Sequence, residues 1–90
     1  MSALLFPLGQ VVATPGALAQ LAQDEIVSFL ARHGAGDWGD LCQEDRESND
    51  QALLDGGRIC SAYRNREKEK FWVITEADRS ATTILLPEEY

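Results

Sequence analysis

Apolar positions along the chain change their spacing twice, and each spacing predicts a different element. Near the start, Val11 and Val12 sit in a short run after Leu8, which predicts a strand over Gly9–Ala13. Thr14-Pro15 then supplies a helix start: a hydroxyl for the N-cap, and a proline where its missing N–H costs nothing. Ala17–Gln23 offers about two turns of good helix formers. Asp24-Glu25 caps a second segment, Glu25–Arg32, because acids are favoured at helix N-termini. The sequence leaves open whether these form one bent helix or two. At about 100° per residue, Leu18, Leu21, Ala22, Ile26, Phe29 and Leu30 share one side, with His33 in the same stripe. Gly34 and Gly36 stop the helix.

Between residues 36 and 57 the chain is mostly polar. Gly36-Asp37-Trp38-Gly39 is a turn carrying an aromatic, and Gln43–Leu54 reads as a helix that docks through its C-terminal end. Asn49 lies one turn from Leu53 on the same side. It either hydrogen-bonds inward or marks where that helix faces water. Gly56-Gly57 ends the segment. In the last third the period falls to two. Arg58–Arg64 alternates loosely, Asn65–Lys70 is a charged connector, and the runs Phe71–Thr75 and Thr82–Leu86 flank Ala77-Asp78-Arg79-Ser80. That pattern predicts a hairpin. With Asp78-Arg79 at its tip, Thr75 opposes Thr82, Val73 opposes Ile84 and Phe71 opposes Leu86 on one face. Ile74 opposes Thr83 and Trp72 opposes Leu85 on the other. Both faces are apolar, so helices cover one, and a partner or the N-terminal segment covers the other. The expected fold is α+β: a short N-terminal strand, two to three helical segments, then a three-stranded antiparallel β-meander, with the helices on one face of the sheet.

Composition narrows the function classes. Ninety residues, 44% of them hydrophobic, make one domain with a modest core and argue against global disorder. The net charge is −7, which disfavours direct binding to nucleic acid or an anionic membrane. No apolar run approaches the ~18 residues of a membrane span. The first residues lack the basic region of a secretory signal, so the expected compartment is the cytoplasm. Cys42 and Cys60 stand alone without a CxxC pair, and there is one histidine. We therefore expect no metal and no cofactor, with the thiols acting as small half-buried hydrophobes and an intramolecular disulfide or redox role as the alternative.

Charge is unevenly distributed. Residues 37–55 carry seven acids and one base, Arg46, while residues 58–70 carry five bases and two acids. The two blocks are adjacent in sequence and are expected to face one another, either as a solvated helix beside a protected hairpin or as a bipolar surface that steers a basic partner. A DNA-mimicking acidic surface is a further reading, although seven acids are few for it.

Side chains with chemical potential cluster at two turns. His33, Asp37 and Trp38 flank the first, and Glu76, Asp78 and Arg79 form the second. Folded together, they would make a polar pocket for a small ligand or for general acid–base catalysis. Taken singly, His33 is a core histidine, Trp38 a plug, and Asp37 and Asp78 turn residues.

The strings at 8–18 (LGQVVATPGAL), 31–39 (ARHGAGDWG) and 73–90 (VITEADRSATTILLPEEY) resemble a family of small bacterial proteins of unknown function. Its members are often labelled plasmid-related protein or, loosely, type I restriction methylation subunit. The resemblance implies a setting in mobile elements or restriction loci. It places His33, Asp37, Trp38, Asp78 and Arg79 in motif blocks and assigns none of them a role. A methyltransferase is too large for this chain, which also lacks a nucleotide-binding βα unit. The expected function is therefore that of a small accessory module whose partner is another protein. It would bind through the acidic helix, through an apolar sheet face, or through Trp38, Arg79 and the residues between the two turns. Homo-oligomerisation stays open, and the ligand-binding or hydrolase-like alternative would use His33, Asp37 and Arg79.

Overall fold

A computed structural model describes residues 4–90. Strands β1 (Gln10–Ala13), β2 (Ile59–Arg64), β3 (Lys70–Thr75) and β4 (Ala81–Leu85) form a mixed sheet in the order β1-β4-β3-β2. Helices α1 (Pro15–Gln20), α2 (Gln23–Gly34) and α3 (Gln43–Asp55) lie between β1 and β2, and a 3-10 turn, Pro87–Glu89, follows β4. The α+β class and the meander β2-β3-β4 agree with the sequence reading. The sheet itself does not end at three antiparallel strands: β1 joins as a fourth, parallel to β4, with Gln10 beside Ala81 and Ala13 beside Ile84. Parallel pairing needs a long connection, and the helices and meander between them provide it. Alternation of side chains reports faces but carries no information on strand direction.

The hairpin register follows the expected one: Thr75 faces Thr82, Val73 faces Ile84, Ile74 faces Thr83 and Trp72 faces Leu85. The ladder stops there, so Phe71 and Leu86 lie beyond it. Residues 14–34 form two helices, because Leu21 is extended (φ −113°, ψ 135°). Thr14 caps α1 by accepting from the Ala17 N–H, and the Glu25 carboxylate reaches back to the Ala22 N–H at the start of α2. The buried stripe is also narrower than expected. Ala17, Leu21, Phe29 and His33 face the sheet, while Leu18 and Ala22 face solvent. The break after α1 rotates the two halves relative to one another, so one continuous 100° wheel misplaces them.

One sheet face packs Tyr63, Phe71, Val73 and Ile84 against Ala17, Leu21 and Phe29. A second cluster joins Phe6, Trp38, Ala52 and Ile59 at the other end. Helix α3 does not lie on a face but flanks the outer edge of β2, where Asn49 bonds Cys60. On the opposite face Tyr90 packs edge-on against Trp72, so the C-terminal turn serves as a partial cover.

The face beneath α2 buries a chain of polar groups. His33 Nδ1 lies 2.5 Å from Ser61 Oγ, and Nε2 lies 2.9 Å from Thr75 Oγ1. Thr75 meets Thr82 at 2.7 Å, and Thr82 donates to the Leu8 carbonyl at 2.7 Å. A carbonyl only accepts, so the direction of the chain is fixed as far as the imidazole. Thr82 gives its single proton to Leu8, hence Thr75 donates to Thr82, and Thr75 accepts from His33 Nε2–H. Burial lowers the imidazole pKa from 6.5 to about 4. At neutral pH the ring is therefore uncharged, and Nδ1 accepts from the Ser61 hydroxyl.

A base depressed in the folded state stays neutral while its unfolded counterpart charges. The resulting stability is full above pH 6.5 and is lost as pH falls towards 4. The expected loss from this group between pH 7 and pH 5 is about 2 kcal/mol. Urea unfolding of the wild type and of His33→Gln at both pH values measures it. The variant is expected to start less stable at pH 7 and to lose far less on acidification. Equal losses in both proteins would show that His33 is not the titrating group.

Candidate functional site

The two turns singled out from sequence do converge, around Phe6. His33 stands 5.3 Å from the Phe6 ring, Trp38 stands 6.4 Å from it, and the Arg79 guanidinium lies over it at 5.5 Å. His33, Trp38 and Arg79 form packed interior there, while Asp37, Glu76 and Asp78 lie at the surface, and each polar group is engaged by the protein itself. His33 is fully buried, and Trp38 is 4% exposed with its indole N–H donating to Asp50. Asp37 pairs with Arg32 at 2.7 Å, which holds its carboxyl below the usual range, and its backbone carbonyl accepts from Tyr63. Glu76 pairs with Arg58, and Asp78 accepts from the Ser80 N–H within the hairpin turn. Arg79 adopts φ 61° and donates to the carbonyls of Ala52, Gly57, Glu76 and Ala77. The hairpin tip thereby grips the C-terminal end of α3.

The edge of β2 shows a second construction. Cys60 and Ala62 point their backbone groups away from β3. Ala62 is met by the chain at residues 38–40: its N–H donates to Trp38 O at 3.1 Å, and its carbonyl accepts from Asp40 N–H at 2.7 Å. Gly39 permits this approach, for at φ 75° a Cβ there would lie 2.0 Å from the Ala62 carbonyl oxygen. Cys60 is met by one side chain. Asn49 Nδ2 donates to its carbonyl at 2.6 Å, and Asn49 Oδ1 accepts from its N–H at 3.1 Å. The amide of Asn49 thus imitates one residue of a neighbouring strand and closes the edge.

Beside this closed edge lies a groove of about 500 Å³. Cys60 and Trp72 belong to the sheet face within it, Cys42 and Asp45 come from the start of α3, and Lys70 and Tyr90 lie on the sheet side. Arg58 anchors Tyr90 by donating to its hydroxyl at 2.7 Å. Both cysteines are free; Cys42 is exposed, so it is not the half-buried residue expected, and burial pushes the Cys60 thiol above its ordinary pKa. Above the groove, α3 carries Glu44, Asp45, Glu47, Asp50 and Asp55, all exposed. Among the described residues none of them lies within 4.0 Å of a cationic side chain. Arg46, the single base of α3, donates instead to the carbonyls of Gly39 and Leu41. The expected meeting of acidic and basic blocks is limited to Arg64 and Asp40, because Arg66 pairs with Asp24 and Glu25 of α2.

None of the six residues proposed from sequence lines this groove. Trp72 was marked by the apolar second face and Asn49 by its position near Leu53. Tyr90, Lys70 and the two thiols carried no signal, since their meeting depends on how remote segments pack. Among the described residues no group of three or more His, Cys, Asp or Glu is placed to hold a metal ion, and no helix is long and apolar enough to cross a membrane. Comparison of the chain with protein-family models, with curated proteins and with solved structures finds no match.

Asn49→Leu is expected to cost about 1–3 kcal/mol, because it removes the partner of the half-buried N–H and C=O of Cys60. Urea unfolding measures the loss, and amide exchange at Cys60 should accelerate with it. A change under about 0.5 kcal/mol with Cys60 still protected would mean that other groups close the edge.

Proposed function

We propose that this protein is a small interaction module that receives a basic segment of a partner protein on helix α3 and in the groove beside it. The observation that carries this reading is the uncompensated charge of α3. Five exposed acids lie on this helix with no cationic side chain on them, Asp50 accepting from the Trp38 indole and Asp55 from the Gly57 N–H, while the only base in the helix is held by backbone carbonyls. Neighbouring charge of one sign steers an oppositely charged partner and raises its association rate. The groove adds an apolar floor at Trp72 and Cys60, and its charged lining is mixed, with Asp40 and Asp45 against Arg58 and Lys70, so the acidic attraction comes from the exposed face of α3. A charged rim around an apolar centre matches the general layout of protein interfaces. On the sequence resemblance alone, we propose that such a partner belongs to mobile elements or restriction loci.

A DNA-mimicking role is less well supported. Thirteen helical residues span about 20 Å. Duplex DNA of that length carries roughly a dozen phosphates, more than twice the carboxylates of α3.

The reading is tested by comparative capture from the native host. Wild type and the triple variant Glu44→Gln, Asp45→Asn, Glu47→Gln are immobilised at about 50 and 300 mM salt. Circular dichroism confirms that both are folded. The expected result is a partner retained by wild type at low salt, lost at high salt and lost by the variant. A partner set that ignores both changes would overturn the proposal.

A further inference from the structure

The two edges of the sheet are treated in opposite ways. The edge at β2 is closed by Asn49 and by residues 38–40. The edge at β1 is open among the described residues, and Val11 and Val12 on it are 43% and 40% exposed. Gln10 N–H donates to Ser80 O and Thr14 N–H to Ile84 O, so Gln10, Val12 and Thr14 turn their backbone groups towards β4. Alternation therefore turns the N–H and C=O of Val11 and Ala13 outward. Soluble proteins commonly protect such an edge with a lysine, a proline or a bulge, and β1 has none of these.

Charge adds a second, independent observation. Residues 1–23 contain no Asp, Glu, Lys, Arg or His, although the whole chain carries 23 charged residues. The net charge of −7 is therefore generated entirely by residues 24–90. Two copies of an acidic protein repel least where charge is sparse, and the open strand carries none of its own; the Glu89 carboxylate stands at its C-terminal end, accepting from Thr14 and from the Gly16 N–H.

We infer that β1 pairs antiparallel with β1 of a second copy about a two-fold axis, extending the sheet from four strands to eight. The outward groups restrict the register to pairs of odd-numbered residues, and we take the one that uses both Val11 and Ala13 of each strand. Val11 of one protomer pairs with Ala13 of the other, and the reciprocal pair completes four hydrogen bonds. Val12 lies opposite Val12 of the second copy at the axis. The next bonded pair would match Gly9 with Pro15, which has no N–H, so the ladder ends itself. The self-matching strand and its lack of charge favour a second copy over a strand from a charged partner. A four-residue edge buries much less than the ~1,200–2,000 Å² of a standard interface, so association is weak and concentration-dependent.

Sedimentation velocity across roughly 10 µM to 1 mM reads the equilibrium, a range suited to a small interface. Wild type is expected to shift from monomer to dimer within it. Val12→Lys and Val12→Glu each place like charges at the axis on a solvent-exposed side chain, and each is expected to weaken dimerisation at least about tenfold. An equimolar mixture of the two is expected to restore dimers, because position 12 meets itself across the axis. Amide exchange at Val11 and Ala13 should slow at high concentration in wild type alone. A wild type that stays monomeric throughout would overturn the inference, including the case in which those two amides are protected only by an added extended peptide. So would dimers that survive in both single variants, or variants whose mixture does not associate.

Discussion

The buried hydrogen-bond chain from Ser61 through His33, Thr75 and Thr82 to the Leu8 carbonyl ties the architecture together. It joins α2, three strands and the N-terminal segment within one row. Hydroxyls and an imidazole in a core are costly unless every one is matched, and no buried side-chain nitrogen or oxygen among the described residues lacks a partner. The matching is directional as well as complete, because the terminal carbonyl orients Thr82, Thr75 and the Nε2 proton, and the uncharged ring orients Ser61. Apolar packing would tolerate small shifts of α2 over the sheet. This chain tolerates few, since His33 must meet β2 with one nitrogen and β3 with the other.

Arg79, Arg46 and Asn49 extend the same economy of backbone groups to the periphery. Each places a polar side chain on backbone groups around α3: the arginines add donors to carbonyls, several of which also accept a backbone N–H, and Asn49 takes both groups of Cys60. Arg79 collects the last carbonyls near α3, Arg46 holds the loop before it, and Asn49 closes the strand beside it. Helix α3 buries only Asn49 and Ala52, so its position depends on these bonds more than on apolar contact. One consequence is electrostatic: with Arg46 held in the loop, the outer face of α3 remains acidic.

Much of the fold is legible in the sequence, for identifiable reasons. The β-branched runs around Ala77–Ser80 set the hairpin register, and Thr14-Pro15 and Gly56 mark helix ends through backbone chemistry that is local. The break at Leu21 is not local. Good helix formers surround it, and the interruption follows from burying Leu21, from the Asn65 amide reaching the Gln20 carbonyl, and from Glu25 capping Ala22. The parallel pairing of β1 escapes the sequence because alternation has no direction. Of the chemistry-bearing residues, His33, Trp38 and Arg79 do stand together as the spacing of the two turns suggested, but around Phe6 and without an opening. The groove was hidden because its walls come from α3, the sheet and the C-terminal turn, and no spacing rule links segments so far apart.

Pairing Gln10 with Ala81 also sets a timetable for synthesis. Elongation at about 5–20 residues per second separates the emergence of β1 from that of β4 by roughly 4–14 s. During that interval an uncharged, apolar strand has no partner within its own chain. Until β4 emerges, both edges of this strand are open, and the finished sheet covers one of them.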